Sequence, residues 1–177
     1  DGTEVTDAET WREKRRPELL RLFAEHVYGE SPPRPEDLPI EVTVVDDDAL
    51  DGKAVRKEVT VWFLGEKTEP SMSLLMYLPQ TDRPVPAFLG LNFGGNHSVR
   101  ADPAITLNAG WFRNNPDKGY VDNRATEESR GSAASRWPVE MIVDRGYALC
   151  TVYYGDIDPD YDDGFENGIH PLFDEKS

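Results

Sequence analysis

Apolar residues first recur at helical spacing, at Leu19, Phe23 and Val27, and the run stops at Gly29. Thr6-x-x-Glu9 ahead of it has the form of a capping box. Pro17 removes a backbone donor inside the run, so the pattern predicts two short helices, the second starting near Pro17 and stopping at Gly29. Ser31 to Pro39 contains four prolines and reads as an extended connector, too short to be a domain linker. Strand periodicity then takes over. Ile40 to Val45 alternates loosely and Asp46 to Gly52 is turn-rich. Val55 to Leu64 alternates cleanly, with Val55, Val59, Val61 and Phe63 on one face. This is the pattern of a hairpin at a sheet edge. Ser73 to Leu78 reads as a further strand, and Ala87 to Asn92 is apolar on both faces, as an inner strand covered by helices on each side would be.

Residues 93–135 are rich in Gly, Asn, Asp, Pro and Ser, with Trp111, Phe112 and Tyr120 as the large aromatics of the later part. A connection of that length inside a compact domain is usually functional. Pro138 to Arg145 reads as a helix ending before Gly146, and Tyr147 to Tyr154 as another apolar strand. Strand, crossover helix and strand imply a parallel pair, with loops gathered at the carboxyl ends where such sheets bind ligands. The fold class read from this order is α/β: the N-terminal part of an α/β-hydrolase three-layer sandwich, an edge hairpin followed by inner parallel strands. In that fold the nucleophile follows the next helix and strand, and the acid and histidine come later still.

Composition and charge narrow the partners. The 177 residues are 38% hydrophobic and 10% aromatic, too apolar for a disordered chain, and 34 acidic residues against 19 basic ones leave a formal charge of -15. Nucleic acid and anionic membrane are therefore excluded as expected partners, because both are repelled. No apolar stretch approaches the length of a membrane span. The lone Cys150 lies in a strand-like run and cannot form an internal disulfide.

Two segments leave the carboxyl ends of predicted strands. In the first, Asn92-Phe93-Gly94-Gly95-Asn96-His97, paired glycines allow close backbone approach to a ligand. An α/β hydrolase takes one of its two oxyanion N–H groups from this position, although a tight strand exit accounts for it equally well. The second, Tyr153-Tyr154-Gly155-Asp156 to Gly164, alternates aspartates but lacks the Gly and Glu of a calcium loop, having Tyr161 and Asn167 in those places, so an acidic surface or cleft loop is expected. Ser132 and Ser135 lie outside any Gly-x-Ser-x-Gly turn, and Ser135 reads as a helix-entry cap. His26, His97 and His170 all precede the position expected for a nucleophile, so no catalytic residue is assigned, and no two His or Cys fall at metal-ligand spacing.

Five ordered stretches carry a family resemblance: Arg15-Arg16-Pro17-Glu18-Leu19-Leu20 with Glu25-His26-Val27-Tyr28-Gly29; Leu91 to His97; Ala134-Ser135-Arg136-Trp137-Pro138-Val139-Glu140; Arg145-Gly146-Tyr147-Ala148; and Tyr153 to Asp160 with Asp163-Gly164-Phe165. Together they resemble the bacterial glucuronoyl esterases, carbohydrate esterases of the α/β-hydrolase fold. The resemblance implies a serine hydrolase, without metal or other cofactor, cleaving the ester between a (4-O-methyl)glucuronic acid of xylan and a lignin alcohol. It also implies secretion or a periplasmic location. The family's Gly-x-Ser-Arg-x-Gly-Lys type turn is absent, as are the later acid and histidine. Residues 1–177 are thus expected to be the N-terminal portion of one catalytic domain, completed beyond Ser177 by the C-terminal part of the same domain.

What carries over is the cleft wall: Gly94, Gly95, Asn96 and His97 in the first turn, and Tyr154, Gly155 and Asp156 in the second loop. Arg136, or alternatively Arg100, is expected to orient the sugar, while the net negative charge helps release a glucuronate product. The alternatives carried forward are an acetyl xylan or other carbohydrate esterase, and a non-catalytic polysaccharide-binding homologue. Alone, residues 1–177 are expected to be inactive and poorly stable, with Tyr147 to Tyr154 as an unpaired edge.

Overall fold

The computed structural model describes residues 2, 4–30 and 37–172. The proline-rich connector predicted over Ser31 to Pro39 lies mostly outside them. Two compact units are present, residues 1–34 and 35–177.

The first unit is helical over residues 8–28. Its N-cap is Asp7 rather than Thr6: Asp7 Oδ1 accepts a 2.7 Å hydrogen bond from the Thr10 N–H, which holds the carboxyl below its ordinary range. The helix also runs on through Pro17 instead of breaking. A wide π-type turn, Trp11–Arg15, precedes the α-helical stretch Arg16–Phe23, so Pro17 stands in the first turn of that stretch, where a missing N–H costs least. Gly29 ends the run at φ +75°.

The second unit is built on a five-stranded sheet: β1 (Ile40–Asp48), β2 (Ala54–Trp62), β3 (Ser71–Pro79), β4 (Ala87–Asn92) and, after two short strands, β5 (Tyr120–Val121) and β6 (Arg124–Ala125), β7 (Ala148–Tyr153). Their order across the sheet is β1-β2-β3-β7-β4. The hairpin β1/β2 is antiparallel at one edge, as the alternation predicted, and β2/β3 and β3/β7 are antiparallel too. Only β4 and β7 run parallel, in the register Ala87↔Ala148 to Asn92↔Tyr153. The helix between them is Val139–Asp144, with Pro138 at its N-cap and no side-chain cap, so Ser135 does not have the capping role expected of it. Ser135 lies instead in the tight turn Ala134–Arg136.

Strand placement reverses one expectation. β7 is the inner strand, buried at every position from Ala148 to Tyr153 between β3 and β4. β4 forms the open edge, with Phe88, Leu89 and Leu91 exposed to 54%, 73% and 53%. The two-sided apolar pattern of β4 describes a strand suited to burial, yet among the described residues it is covered only in part, by Trp137 over Gly90 and by Tyr147 against Phe88.

The main core joins Leu75, Tyr77 and Leu149 of the sheet to Val139 and Val143 of the crossover helix and to Val99 and Ile105 of the long loop. Burying such aliphatic side chains contributes roughly 1.5–3 kcal/mol each. A second cluster, Phe112, Tyr120 and Tyr153, fixes the loop against β7, with Phe112 and Tyr153 stacked at 4.4 Å. The hairpin β5/β6 turns through Asp122 and Asn123, both at positive φ, as a two-residue turn matched to strand twist requires.

Candidate active-site wall

Parallel pairing brings the carboxyl ends of β4 and β7 side by side, so the two segments singled out from sequence leave the sheet together. Phe93 and Tyr154, the first residues past the two strands, meet with ring centroids 4.9 Å apart.

A buried amide lattice sets the first turn. Asn92 Nδ2 donates to Asn96 Oδ1 at 2.8 Å and to Thr151 Oγ1 at 3.0 Å, while Asn96 Nδ2 donates to the Ser73 carbonyl at 2.8 Å. One network thus ties β4, the turn, β3 and β7 together. Ser98 closes the turn, its Oγ donating to the Gly95 carbonyl at 2.7 Å. Both glycines are required by geometry. A Cβ on Gly94 would stand 2.6 Å from Ser98 Oγ and 2.8 Å from the Tyr120 hydroxyl; Gly95 has φ +81° and would drive a Cβ to 2.6 Å from the His97 ring. Tyr120 donates to the Gly94 carbonyl at 2.9 Å, and its oxygen also lies 3.3 Å from Ser132 Oγ. The Gly94 N–H meets no acceptor among the described residues.

The expected cleft residues therefore divide. Gly94 lines a cavity of about 450 Å³ together with Phe93, Phe112, Tyr120 and Arg136. Asn96 and His97 stand behind that wall as supports. His97 is fully buried: Nδ1 accepts from the Asn108 N–H at 3.4 Å, Nε2 has no partner among the described residues, and the ring meets Phe112 edge-on at 5.9 Å. Burial, helped by the positive charge of Arg130, lowers its pKa to about 4, so it is neutral at physiological pH.

Asp156 is likewise structural in its contacts. Its carboxylate accepts from the Ser73 N–H at 3.0 Å and from Asn108 Nδ2 at 2.9 Å, and burial raises its pKa. Gly155 packs under the Tyr153 ring so closely that a Cβ would lie 2.4 Å from it. The remaining aspartates of that loop have local partners as well. Asp158 faces His170 at 3.5 Å, Asp160 pairs with Arg113 at 2.9 Å, and Asp162 accepts from the Gly164 N–H.

Of the two arginines considered for orienting a sugar, Arg100 is paired with Glu140, whereas Arg136 lines the cavity with no carboxylate in reach among the described residues. Sequence reasoning missed Arg113, Lys118, Asn114 and Asn115, which line the same cavity. Their only signal was membership of an overlong polar loop.

A parallel pair joined by a crossover helix, with a glycine turn and an acidic loop at its carboxyl ends and an antiparallel hairpin beyond, is the N-terminal part of an α/β-hydrolase fold. No family model matches the chain. The chain is 43% identical over 174 residues to the carbohydrate esterase MZ0003 from an unknown prokaryotic organism, covering 98% of this chain and 40% of that protein. It is 48% identical to a glucuronoyl esterase from Solibacter usitatus, with a TM-score of 0.85 over 97% of this chain and 43% of the other. A third relative, a promiscuous CE15 esterase from a marine bacterial metagenome, is 42% identical, with a TM-score of 0.84 over 100% of this chain and 44% of its own. These similarities bear out the resemblance to glucuronoyl esterases, as an N-terminal portion, while the chain spans only about two fifths of the length of each of these relatives.

Proposed function

We propose that these residues form the oxyanion-side wall of a carbohydrate ester hydrolase, the whole protein cleaving glucuronoyl esters of plant cell-wall polysaccharide by a serine mechanism. The observation that carries this reading is the Gly94 turn. It stands at the carboxyl end of a parallel strand, is held rigid by buried amides, and presents to the cavity a residue whose N–H has no acceptor among the described residues. Preorganised donors of this kind stabilise the charge that develops on a carbonyl oxygen under attack. The likeness to esterases named for glucuronoyl esters supports the substrate class.

In this reading the nucleophilic serine, its histidine and its acid come from the C-terminal part of the same domain, beyond Ser177. Arg136 orients the sugar, and export to meet a wall polymer belongs to the same proposal. Comparing hydrolysis of benzyl glucuronate with that of an acetylated xyloside by the full-length protein tests it. Cleavage of the glucuronate ester is expected. Acetyl release alone would make it an acetyl esterase, and binding of wall polysaccharide without turnover would make it a non-catalytic homologue. Gly94→Ala keeps the N–H but its Cβ collides with Ser98 Oγ and the Tyr120 hydroxyl and displaces the turn, so it is expected to lower kcat by roughly a hundredfold or more, the scale of misplacing one oxyanion donor; unchanged kcat would remove the turn from the mechanism.

A further inference from the structure

Asn108 does not line the cavity beside Gly94, yet three segments meet on it. Its Nδ2 donates to Asp156 Oδ1 at 2.9 Å, its Oδ1 accepts from the Gly110 N–H at 2.7 Å, and its own backbone N–H donates to His97 Nδ1 at 3.4 Å. Gly110 is fitted to this contact, since a Cβ there would stand 2.8 Å from Asn108 Oδ1. Asp156 Oδ2 in turn accepts from the Ser73 N–H at 3.0 Å, and the Ser73 carbonyl accepts from Asn96 Nδ2 at 2.8 Å. Asn96 and His97 are neighbours in the chain, so the contacts close a ring that runs from Asn108 through Asp156, Ser73, Asn96 and His97 back to Asn108. The ring ties the glycine turn, the long loop and the loop after β7 to β3, a strand paired on both sides.

The chemistry of each joint is specific. An ionised carboxylate only accepts, so Asp156 needs donors on both oxygens and finds them in Ser73 and Asn108. A carboxamide donates at one end and accepts at the other, which lets Asn108 face Asp156 and Gly110 at once. We infer that Asn108 is a positioning residue for the proposed ester hydrolysis: by closing this ring it holds the Gly94 turn and the loop after β7 at one fixed separation. The inference rests on the esterase reading for the reaction it serves, and on the ring alone for its geometry. A preorganised donor stabilises developing charge only while it is held in place, and a displacement of about 1 Å can cost on the order of a hundredfold in rate. Because the ring stands behind the wall, loosening it moves the Gly94 N–H without removing a group from the cavity. The loss therefore falls on kcat and leaves KM nearly unchanged.

A side-chain exchange in the full-length protein tests this, with benzyl glucuronate as substrate. Asn108→Asp sets carboxylate against carboxylate, and Asp156→Asn leaves one amide oxygen for two donors. The double variant Asn108→Asp/Asp156→Asn restores one donor facing one acceptor, with the amide now on the other loop. Each single variant is expected to lower kcat about tenfold or more with KM changed by less than about twofold, and the double variant to regain most of the loss. Asn108→Ser removes the Nδ2 donor without adding charge; it is expected to show the same split and replaces Asn108→Asp if that variant does not fold. Hydrogen exchange reads the ring without substrate. The Ser98 and Val99 N–H groups, bonded to the carbonyls of Gly95 and Asn96, are expected to exchange faster in the single variants and to recover in the double. Single variants with unchanged kcat, or a double variant no better than the worse single, would overturn the inference. A full-length protein that hydrolyses no ester discards the esterase reading; exchange that follows the side-chain swap then keeps the ring, and unchanged exchange removes it too.

Discussion

His97 shows how a buried titratable side chain can support a cavity wall without lining the cavity. Its imidazole is sealed beneath the cavity wall, against Phe112 and Tyr120, and burial keeps it neutral. The folded pKa of about 4 lies below the ordinary 6.5, so the unfolded chain binds the proton more readily. Stability from His97 is therefore complete above pH 6.5 and is lost as pH falls from there to about 4, by something on the order of 2–3 kcal/mol. Asp156 runs in the opposite sense, because a raised carboxyl pKa stabilises the fold at low pH and loses that contribution as pH rises. Comparing urea midpoints of the protein and its His97→Gln variant between pH 7 and pH 4.5 separates the two, since Asp156 is common to both. The variant is expected to show the shallower decline; parallel curves would place the proton elsewhere.

At the scale of elements, residues 98–135 are a wall rather than a lid. Arg56, on β2 and 3% exposed, pairs with Asp102 at 2.5 Å and faces Asp46 at 3.7 Å. Glu58, 5% exposed on the same strand face, accepts from the Thr106 N–H at 3.1 Å. Arg130 then fastens the far side of the loop, donating to the carbonyls of Ile105 at 2.6 Å and Asp102 at 3.2 Å while pairing with Glu127. Alternation in Val55 to Phe63 located β2, but it left the opposite face blank, and that face is where the charges that anchor the loop are buried. Replacing Arg56 by Leu strands Asp102 and is expected to cost about 3 kcal/mol in urea unfolding, with faster proteolysis within residues 99–131. The double variant Arg56→Leu/Asp102→Leu should recover part of that loss; a single variant as stable as the parent would show that the pair does not anchor the loop.

For the molecule as a whole, the determining feature is the free side of β4. Its backbone edge is unpaired and Phe88, Leu89 and Leu91 face outward, in a protein whose relatives are more than twice as long. An apolar unpaired edge is a template for another strand. A polypeptide of residues 1–177 is accordingly expected to self-associate as its concentration rises, measured by sedimentation velocity. Leu89→Lys is expected to return it towards monomer. A compact monomer that unfolds cooperatively and shows no concentration dependence would contradict the role given to the exposed edge.

The sequence by itself determined the local elements and their order, because those follow from periodicity and punctuation. A helical segment stopping at Gly29, the edge hairpin, the strands near Asn92 and Tyr153, and the crossover helix between them were all legible from spacing, although the cap at Asp7 and the unbroken run through Pro17 were not. The glycine turn was legible too, since only glycine fits the space left by Ser98, Tyr120 and His97. What the tertiary structure decided was neighbourhood. Which apolar strand lies inside depends on pairing between distant segments, so β7 rather than β4 became the buried one. Asp156 turned inward because Ser73 and Asn108, far away in sequence, offered it donors. Arg113, Lys118 and Arg136 became one cationic cavity only when the packing of Phe112 and Tyr120 against Tyr153 folded the long loop over the sheet end. Periodicity fixes which way a side chain faces along its own element. It carries no information about what distant residue will face it there.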